Sequence, residues 1–368
     1  MRHAVAVIVG VAILVFAGLS GAAQSTTVPL SRITPEDLLA AGLTRADLKS
    51  LGADPDKWWP EFPQFNVGIG GPILPGMRFY VTQTFRQVGD PARRRIEVAL
   101  SLYGDTRAAG RAFPAYADHP QADKGTTTVV GPSTGDESRY FTRTTNDGLR
   151  VTSVRFRTGP VIGRIAVLSQ SEYEQGATLA RYAEPVVQRI RALLRGQLKA
   201  PALPAARARL LPPAATASGV GPVLGAAAVP MEAWAVEAGG DDALKTLALL
   251  RQIGATDSVM RRYGLRAAVG HIVEAAVFQV KDTASGAAWV DDTVRAGKES
   301  KGRFFAAGKT GKHATFLQWP NGTYEIQFAK GHVVGDVICK APFGKTSSVC
   351  EAAVRQLGER WFAALPSR

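Results

Sequence analysis

"FRTGPVIGRIA" occupies residues 156–166 and "FAKGHVVGDVI" residues 328–338. Both read F-x-x-G-x-V-(I/V)-G-x-(I/V), so one phrase is written twice in a single chain. The match extends in both directions. Upstream, "IEVALSLYGDT" (96–106) aligns with "VEAAVFQVKDT" (273–283), setting Glu97 against Glu274 and Asp105-Thr106 against Asp282-Thr283. Between the matched blocks stand Asp147-Gly148 and Asn321-Gly322, pairs favoured in two-residue hairpin turns because they tolerate positive φ. Downstream, "LARYAEPVVQRIRALL" (179–194) and "VCEAAVRQLGERWFAAL" (349–365) both carry helical periodicity.

The spacing supports descent from one unit. Seven residues separate Gly148 from Phe156 and five separate Gly322 from Phe328. Strand side chains alternate faces with period two, so a difference of two keeps the same residues on the core side. In the first copy Ile96, Val98, Leu100 and Leu102 alternate with Glu97, Ala99 and Ser101, the pattern of a strand buried on one face. Asp105 is placed to cap a helix over residues 106–117. A strand near residues 139–144 and two more around the Thr158-Gly159 turn follow, then the closing helix. Each copy thus reads strand, strand, helix, three-strand meander, helix, and short turns between successive strands require antiparallel neighbours.

The expected fold class is α+β: a tandem duplication of an antiparallel-sheet domain with helices on one face. The copies span residues 67–195 and 231–368, and residues 196–230, rich in Ala and Pro and free of aromatics, read as a semi-rigid linker. Residues 24–66 hold two short capped helices, begun by Thr34 and Thr44, and an aromatic segment with Trp58, Trp59, Phe62 and Phe65 that reads as a lid over a core. Residues 1–23 combine Arg2, an apolar run and a small-residue end at Ala22-Ala23, the form of a secretory signal. The expected destination is periplasmic or extracellular, with an uncleaved N-terminal anchor as the alternative. Nothing after the signal has the length and apolarity of a membrane span.

Composition fits a packed protein, with 46% hydrophobic and 20% charged residues over 368 positions. The formal charge of +13 is spread along the chain, which draws it to anionic surfaces without marking a specific nucleic-acid site. Two cysteines, Cys339 and Cys350, in an exported chain predict a disulfide. Aligned by the repeated phrase, Cys339 takes the place of Val167 on the face that meets the closing helix.

Chemistry-bearing motifs fail on context. "GPSTG" (131–135) matches a nucleophile elbow, but strand-like sequence follows Ser133 where a helix is required, and His119, His271, His313 and His332 are scattered. "GRFFAAGKT" (302–310) has five residues where a phosphate loop needs four, and no helix follows it. The histidines lack the spacing of metal ligands, so no catalytic residue, metal or cofactor is predicted. Glu97 and Glu274 fall opposite the Ile96 and Val273 faces, as cross-strand pairing partners.

One asymmetry between the copies points to binding. Arg155 and Arg157 share a strand face, and Arg139, Arg143 and Arg164 lie on neighbouring strands. Their counterparts in the second copy are Thr315, Trp319, Gln327, Ala329 and Asp336. Guanidinium groups pair bidentately with carboxylate or phosphate, so these five arginines form the candidate anion-binding face. The stretch "RYGLRAAVGHIVEAAVFQVKDTASGAAW" (262–289) resembles a family of exported bacterial proteins known only as a domain of unknown function, through Tyr263, Gly264, Leu265, Glu274, Ala284 and Gly286. The first copy offers "GMRF" (76–79) in place of Y-G-L. That resemblance implies an exported fold and carries no activity. The expected function is a non-enzymatic binding protein for an anionic envelope polymer or protein. The alternative is an extracytoplasmic enzyme with its site in the cleft between the domains.

Overall fold

The computed structural model describes residues 28–66, 75–117, 125–213, 220–266, 268, 270–340 and 348–366. The signal segment lies outside them. Helices α1 (Pro35–Ala40) and α2 (Arg45–Ser50) come first, then strands β1 (Trp58–Pro60) and β2 (Gln64–Asn66). The first copy is β3 (Met77–Gln87), β4 (Arg95–Tyr103), α3 (Thr106–Ala117), β5 (Thr127–Val129), β6 (Glu137–Thr144), β7 (Arg150–Thr158), β8 (Val161–Ser169) and α4 (Gly176–Leu194). Next come α5 (Ala205–Ala208), β9 (Val223–Ala228), α6 (Met231–Gly239) and α7 (Ala243–Gln252). The second copy is β10 (Thr256–Gly264), β11 (Ile272–Gln279), α8 (Thr283–Glu299), β12 (Arg303–Phe305), β13 (Ala314–Gln318), β14 (Tyr324–Lys330), β15 (Val333–Lys340) and α9 (Ser348–Ala364).

The sheets run β3-β4-β8-β7-β6-β5 and β10-β11-β15-β14-β13-β12, the same path twice, with antiparallel neighbours throughout. The short strands β5 and β12 extend the expected meander by one strand each. The repeated phrase is a hairpin with its own packing device. Gly159 and Gly331 take φ of 55° and 58° at the first position of two-residue loops, the type II′ geometry that suits twisted strands. Phe156 then faces Gly163 across the strands, and Phe328 faces Gly335. A Cβ on either glycine would come within 2.3 or 2.4 Å of the opposing ring. The aromatic covers backbone that the glycine leaves bare.

The Asp147-Gly148 and Asn321-Gly322 turns depart from the two-residue expectation. Thr145 N bonds Leu149 O at 2.8 Å and Trp319 N bonds Thr323 O at 2.8 Å, so each loop holds three residues. Only the glycine is left-handed, with φ of 83° and 85°. A type I turn closed by a left-handed glycine needs one positive φ where type I′ needs two.

The helices also depart from the expectation of a single face. Helix α4 packs Leu179, Val186 and Ile190 on Val154, Phe156, Ile165 and Val167, together with Leu38 and Leu48 of α1 and α2. Helix α3 packs Ala109 and Phe113 against Tyr103 and Ile162, on the other side of the sheet. The second copy repeats this split, with α9 on Val273, Val277, Phe328 and Val337 and α8 on Ala276, Phe278 and Val334. The physical reason is in β8 and β15, which are apolar on both faces and need cover on each.

Residues 196–230 do more than span. Strand β9 pairs with β10, taking the edge that β1 and β2 take against β3. Leu224 joins the core of the first copy and Leu210 and Leu211 that of the second. The aromatic segment is the other half of the seam. Trp58 and Phe65 are buried in the first core, while Trp59 and Phe62 are buried with Trp234 and Phe278 of the second. Phe62 meets Trp234 edge to face at 5.1 Å, and a Cβ on Gly225 would stand 2.4 Å from the Phe65 ring. The lid is shared by both copies.

Cys339 and Cys350 form the expected disulfide, joining the end of β15 to the first turn of α9 with a Cα separation of 5.4 Å. Both are fully buried in the second core. Closing so short a loop restricts the unfolded chain by about 2–3 kcal/mol in the chain-entropy view. The Cys339→Ala, Cys350→Ala double variant is expected to lose that amount in urea titration. An unchanged midpoint would show that the bridge adds nothing to stability.

Candidate functional site

Strand register brings all five predicted arginines to one face of the first sheet. Arg139 lies directly across from Arg155, and Arg155 from Arg164, so three arginines form a row over β6, β7 and β8. Arg157 and Arg143 flank that row on the same face, Arg157 opposite Glu137 and Arg143 opposite Val151. Like charges directly opposite on a sheet repel, so the row weakens the sheet it sits on.

The fold offsets part of that repulsion. Arg157 reaches Glu137 at 2.6 Å and Asp136 at 3.4 Å, and Arg164 reaches Glu97 at 3.1 Å. Glu97 is thus the cross-strand partner its position implied. The Arg155 guanidinium lies 4.8 Å from the Tyr116 ring and 5.0 Å from the Phe141 ring, and donates to the Tyr116 carbonyl. Arg139 donates to Ser138 O at 2.9 Å and is exposed, whereas the other four are half-buried. Arg155 is thus held against α3, the helix that lies over this face.

The same row in the second copy is Thr315, Gln327 and Asp336, all buried. Trp319 and Ala329 stand where Arg143 and Arg157 do. Here α6 and α7 lie over the sheet beside α8, and Thr293 of α8 donates to Gln327 at 2.6 Å. In the first copy the corresponding preceding helices, α1 and α2, went to the opposite face with α4. The arginine face is therefore left with α3 as its helical cover among the described residues.

Sequence reasoning missed what that covering does to the acids of the second copy. Glu274 was placed opposite Val273 correctly, but its face is interior. It bonds Arg262 through Nε at 2.6 Å and Nη2 at 2.5 Å, and both side chains are at most 5% exposed. Glu325 accepts from Trp319 Nε1 at 2.5 Å, and its burial pushes the carboxyl up to about 7. Burial, with Glu325 and Glu274 close by, holds Asp336 well above the usual carboxylate range. The available signal was an acid set within apolar strands, as in "YEIQFA" and "VVGDVI". Alternation alone assigned it to solvent.

A second feature is the cleft between the copies, where the alternative reading sets an enzyme site. The β3–β4 hairpin and the Gly240-Asp241 turn enclose a cleft of about 460 Å³, walled by Arg86, Arg93, Arg95, Asp90, Gln87 and Gln170 among others. Its signal was the run Arg93-Arg94-Arg95, whose last member opens β4 on the same strand face as Glu97. The cleft walls carry no hydroxyl, thiol or imidazole. Ser133 sits exposed in the loop between β5 and β6. Among the described residues no group of three or more His, Cys, Asp and Glu side chains is arranged to hold a metal, and no helix is long and apolar enough to cross a membrane.

No protein-family model matches the chain, and comparison with curated proteins finds no significant match. Among solved structures the chain is similar to the extracellular domain of PknH from Mycobacterium tuberculosis, at 13% identity and a TM-score of 0.32, over 43% of this chain and 97% of that one.

Proposed function

We propose that the chain is an exported, non-enzymatic binding module that holds an anionic envelope polymer or protein on the arginine face of its first sheet. The observation that carries this reading is the Arg139–Arg155–Arg164 row, set on the sheet face that the second copy roofs with α6 and α7 and the first does not. The fold does not need the row, because the second copy builds the same hairpins with Thr315, Gln327 and Asp336. Export is supported by the signal-like N-terminus and by the Cys339–Cys350 disulfide, which an oxidising compartment maintains.

The test is retention on a sulfated-polysaccharide matrix under a salt gradient. Exposed charges are screened within about 10 Å at 0.1 M salt, so binding to this face is expected to be salt-sensitive. The Arg139→Gln, Arg143→Gln variant is expected to elute at clearly lower salt than the Lys309→Gln, Lys312→Gln variant, whose exposed lysines lie in a loop of the second copy. Equal shifts would mean that diffuse net charge does the attracting and would end the proposal.

A further inference from the structure

We infer that the cleft between the copies is a separate binding site for the phosphate group of a small solute. The rim is built rather than incidental. Arg86 and Arg95 face each other directly across β3 and β4. The hairpin tip that carries Arg93 is locked by Asp90, which accepts from Ala92 N at 3.0 Å and Arg94 N at 3.4 Å, and by Gln170 N bonding Ala92 O at 2.8 Å. Arg93 itself takes φ of 50°, a conformation uncommon outside glycine, asparagine and aspartate, and it extends toward the cleft.

The charges of these arginines are met unequally. Arg86 pairs with Glu61 at 3.1 Å, while its Nε is buried without a hydrogen-bond partner. The opposite wall supplies Asp241, 3.1 Å from Arg93 and 3.8 Å from Arg86, on a side chain 72% exposed. Arg95 has no hydrogen-bond or ion-pair partner among the described residues, and its charge acts on exposed Asp147. Asp90 is engaged with its own turn and with Arg94. Among the described residues Asp241 is thus the one carboxylate bridging two of the three cleft arginines, on a turn begun by left-handed Gly240.

Asp241 stands where a ligand anion would sit. A monocarboxylate replacing it exchanges one negative charge for another and gains little. A phosphate group brings close to two negative charges and three acceptor oxygens, enough to engage Arg86, Arg93 and Arg95 together. The volume leaves room for a small organic body beyond the phosphate, within the usual size of ligand pockets. This site shares none of Arg139, Arg143, Arg155, Arg157 and Arg164, although Arg86 and Arg95 lie farther along the same sheet face, and either can fail without the other.

The experiment is titration of the full mature chain with inorganic phosphate at pH 8, with acetate as the comparison anion, followed by amide chemical shifts. Phosphate is expected to bind at least tenfold more tightly than acetate and to shift Gly89 and Gly240. Arg95→Gln is expected to weaken phosphate at least tenfold. Asp241→Asn, which removes the competing carboxylate from an exposed position, is expected to tighten it. The Lys309→Gln, Lys312→Gln variant, whose exposed lysines lie in a loop outside both sites, is expected to bind phosphate as the parent does. Acetate matching phosphate, Arg95→Gln without effect, or Asp241→Asn weakening binding would each overturn the inference.

Discussion

Replacing Arg262 with methionine is expected to lower folding stability by about 3–5 kcal/mol, the usual loss when one partner of a buried ion pair is removed. Glu274 would remain among Glu325 and Asp336 on a face sealed by α6, α7 and α8, without the guanidinium that bonds its Oε2. Its other oxygen is already buried without a partner, so no second contact is ready to compensate. The carboxyl would have to take a proton or draw in water. The Arg262→Met, Glu274→Met double variant removes both charges and keeps the volume, and is expected to regain most of the loss, because well-packed apolar replacements of a buried pair are often neutral or better. Urea denaturation with unchanged m-values measures both. A single variant within about 1 kcal/mol of the parent would show that this pair is solvated in solution.

Stability is also expected to fall as pH rises from about 4.5 to 7. The sign follows from Glu325, whose folded pKa is raised by burial from the ordinary 4.5 to about 7. In that window the folded chain keeps a proton that the unfolded chain has released, so deprotonation favours unfolding. Glu325 alone gives a difference of roughly 3 kcal/mol at about 1.4 kcal/mol per pKa unit. Asp336 acts in the same direction from its own ordinary value of 3.8 upward. Lys340, half-exposed and 2.7 Å from Glu237, opposes both shifts through its charge. Asp47 opposes the trend at the acid end. Despite its partial burial it is held low by hydrogen bonds from Arg189 and Thr44, so its contribution is present above the ordinary value and lost as pH falls through the folded one. Maximum stability is thus expected close to the ordinary carboxylate values, at about pH 4. The Glu325→Gln, Asp336→Asn variant is expected to flatten the profile between pH 5 and 8 and to exceed the parent at pH 8. An unchanged slope would place the pH dependence elsewhere.

The repeated phrase was legible because its information is local. Phe156 and Gly163, or Phe328 and Gly335, are close along the chain, and the left-handed turns at Gly159 and Gly331 leave a mark in composition. Period-two alternation likewise placed Arg139, Arg143, Arg155, Arg157 and Arg164 on one face, and set Cys339 toward the helix that carries Cys350. Capping residues fixed helix starts at Thr34, Thr44, Asp105 and Asp282 for the same reason, since each acts within three residues of itself.

What covers each face was decided only in three dimensions. Alternation states which residues share a side of a sheet but not which element lies over that side. Residues 28–50 settle with α4 in the first copy, while residues 231–252 settle with α8 in the second. That difference turns equivalent positions into opposite environments: Arg164 is half-exposed beside Glu97, and Asp336 is buried and proton-retaining beside Glu325. The cleft at Arg86, Arg93, Arg95 and Asp241 has the same origin, for its walls lie far apart in the chain. By itself the sequence determined the repeating unit, its registers and its bridge, because those depend on neighbours a few residues away or on a period of two. The tertiary structure decided which charges met water and which met each other, because burial depends on segments that sequence spacing does not bring together.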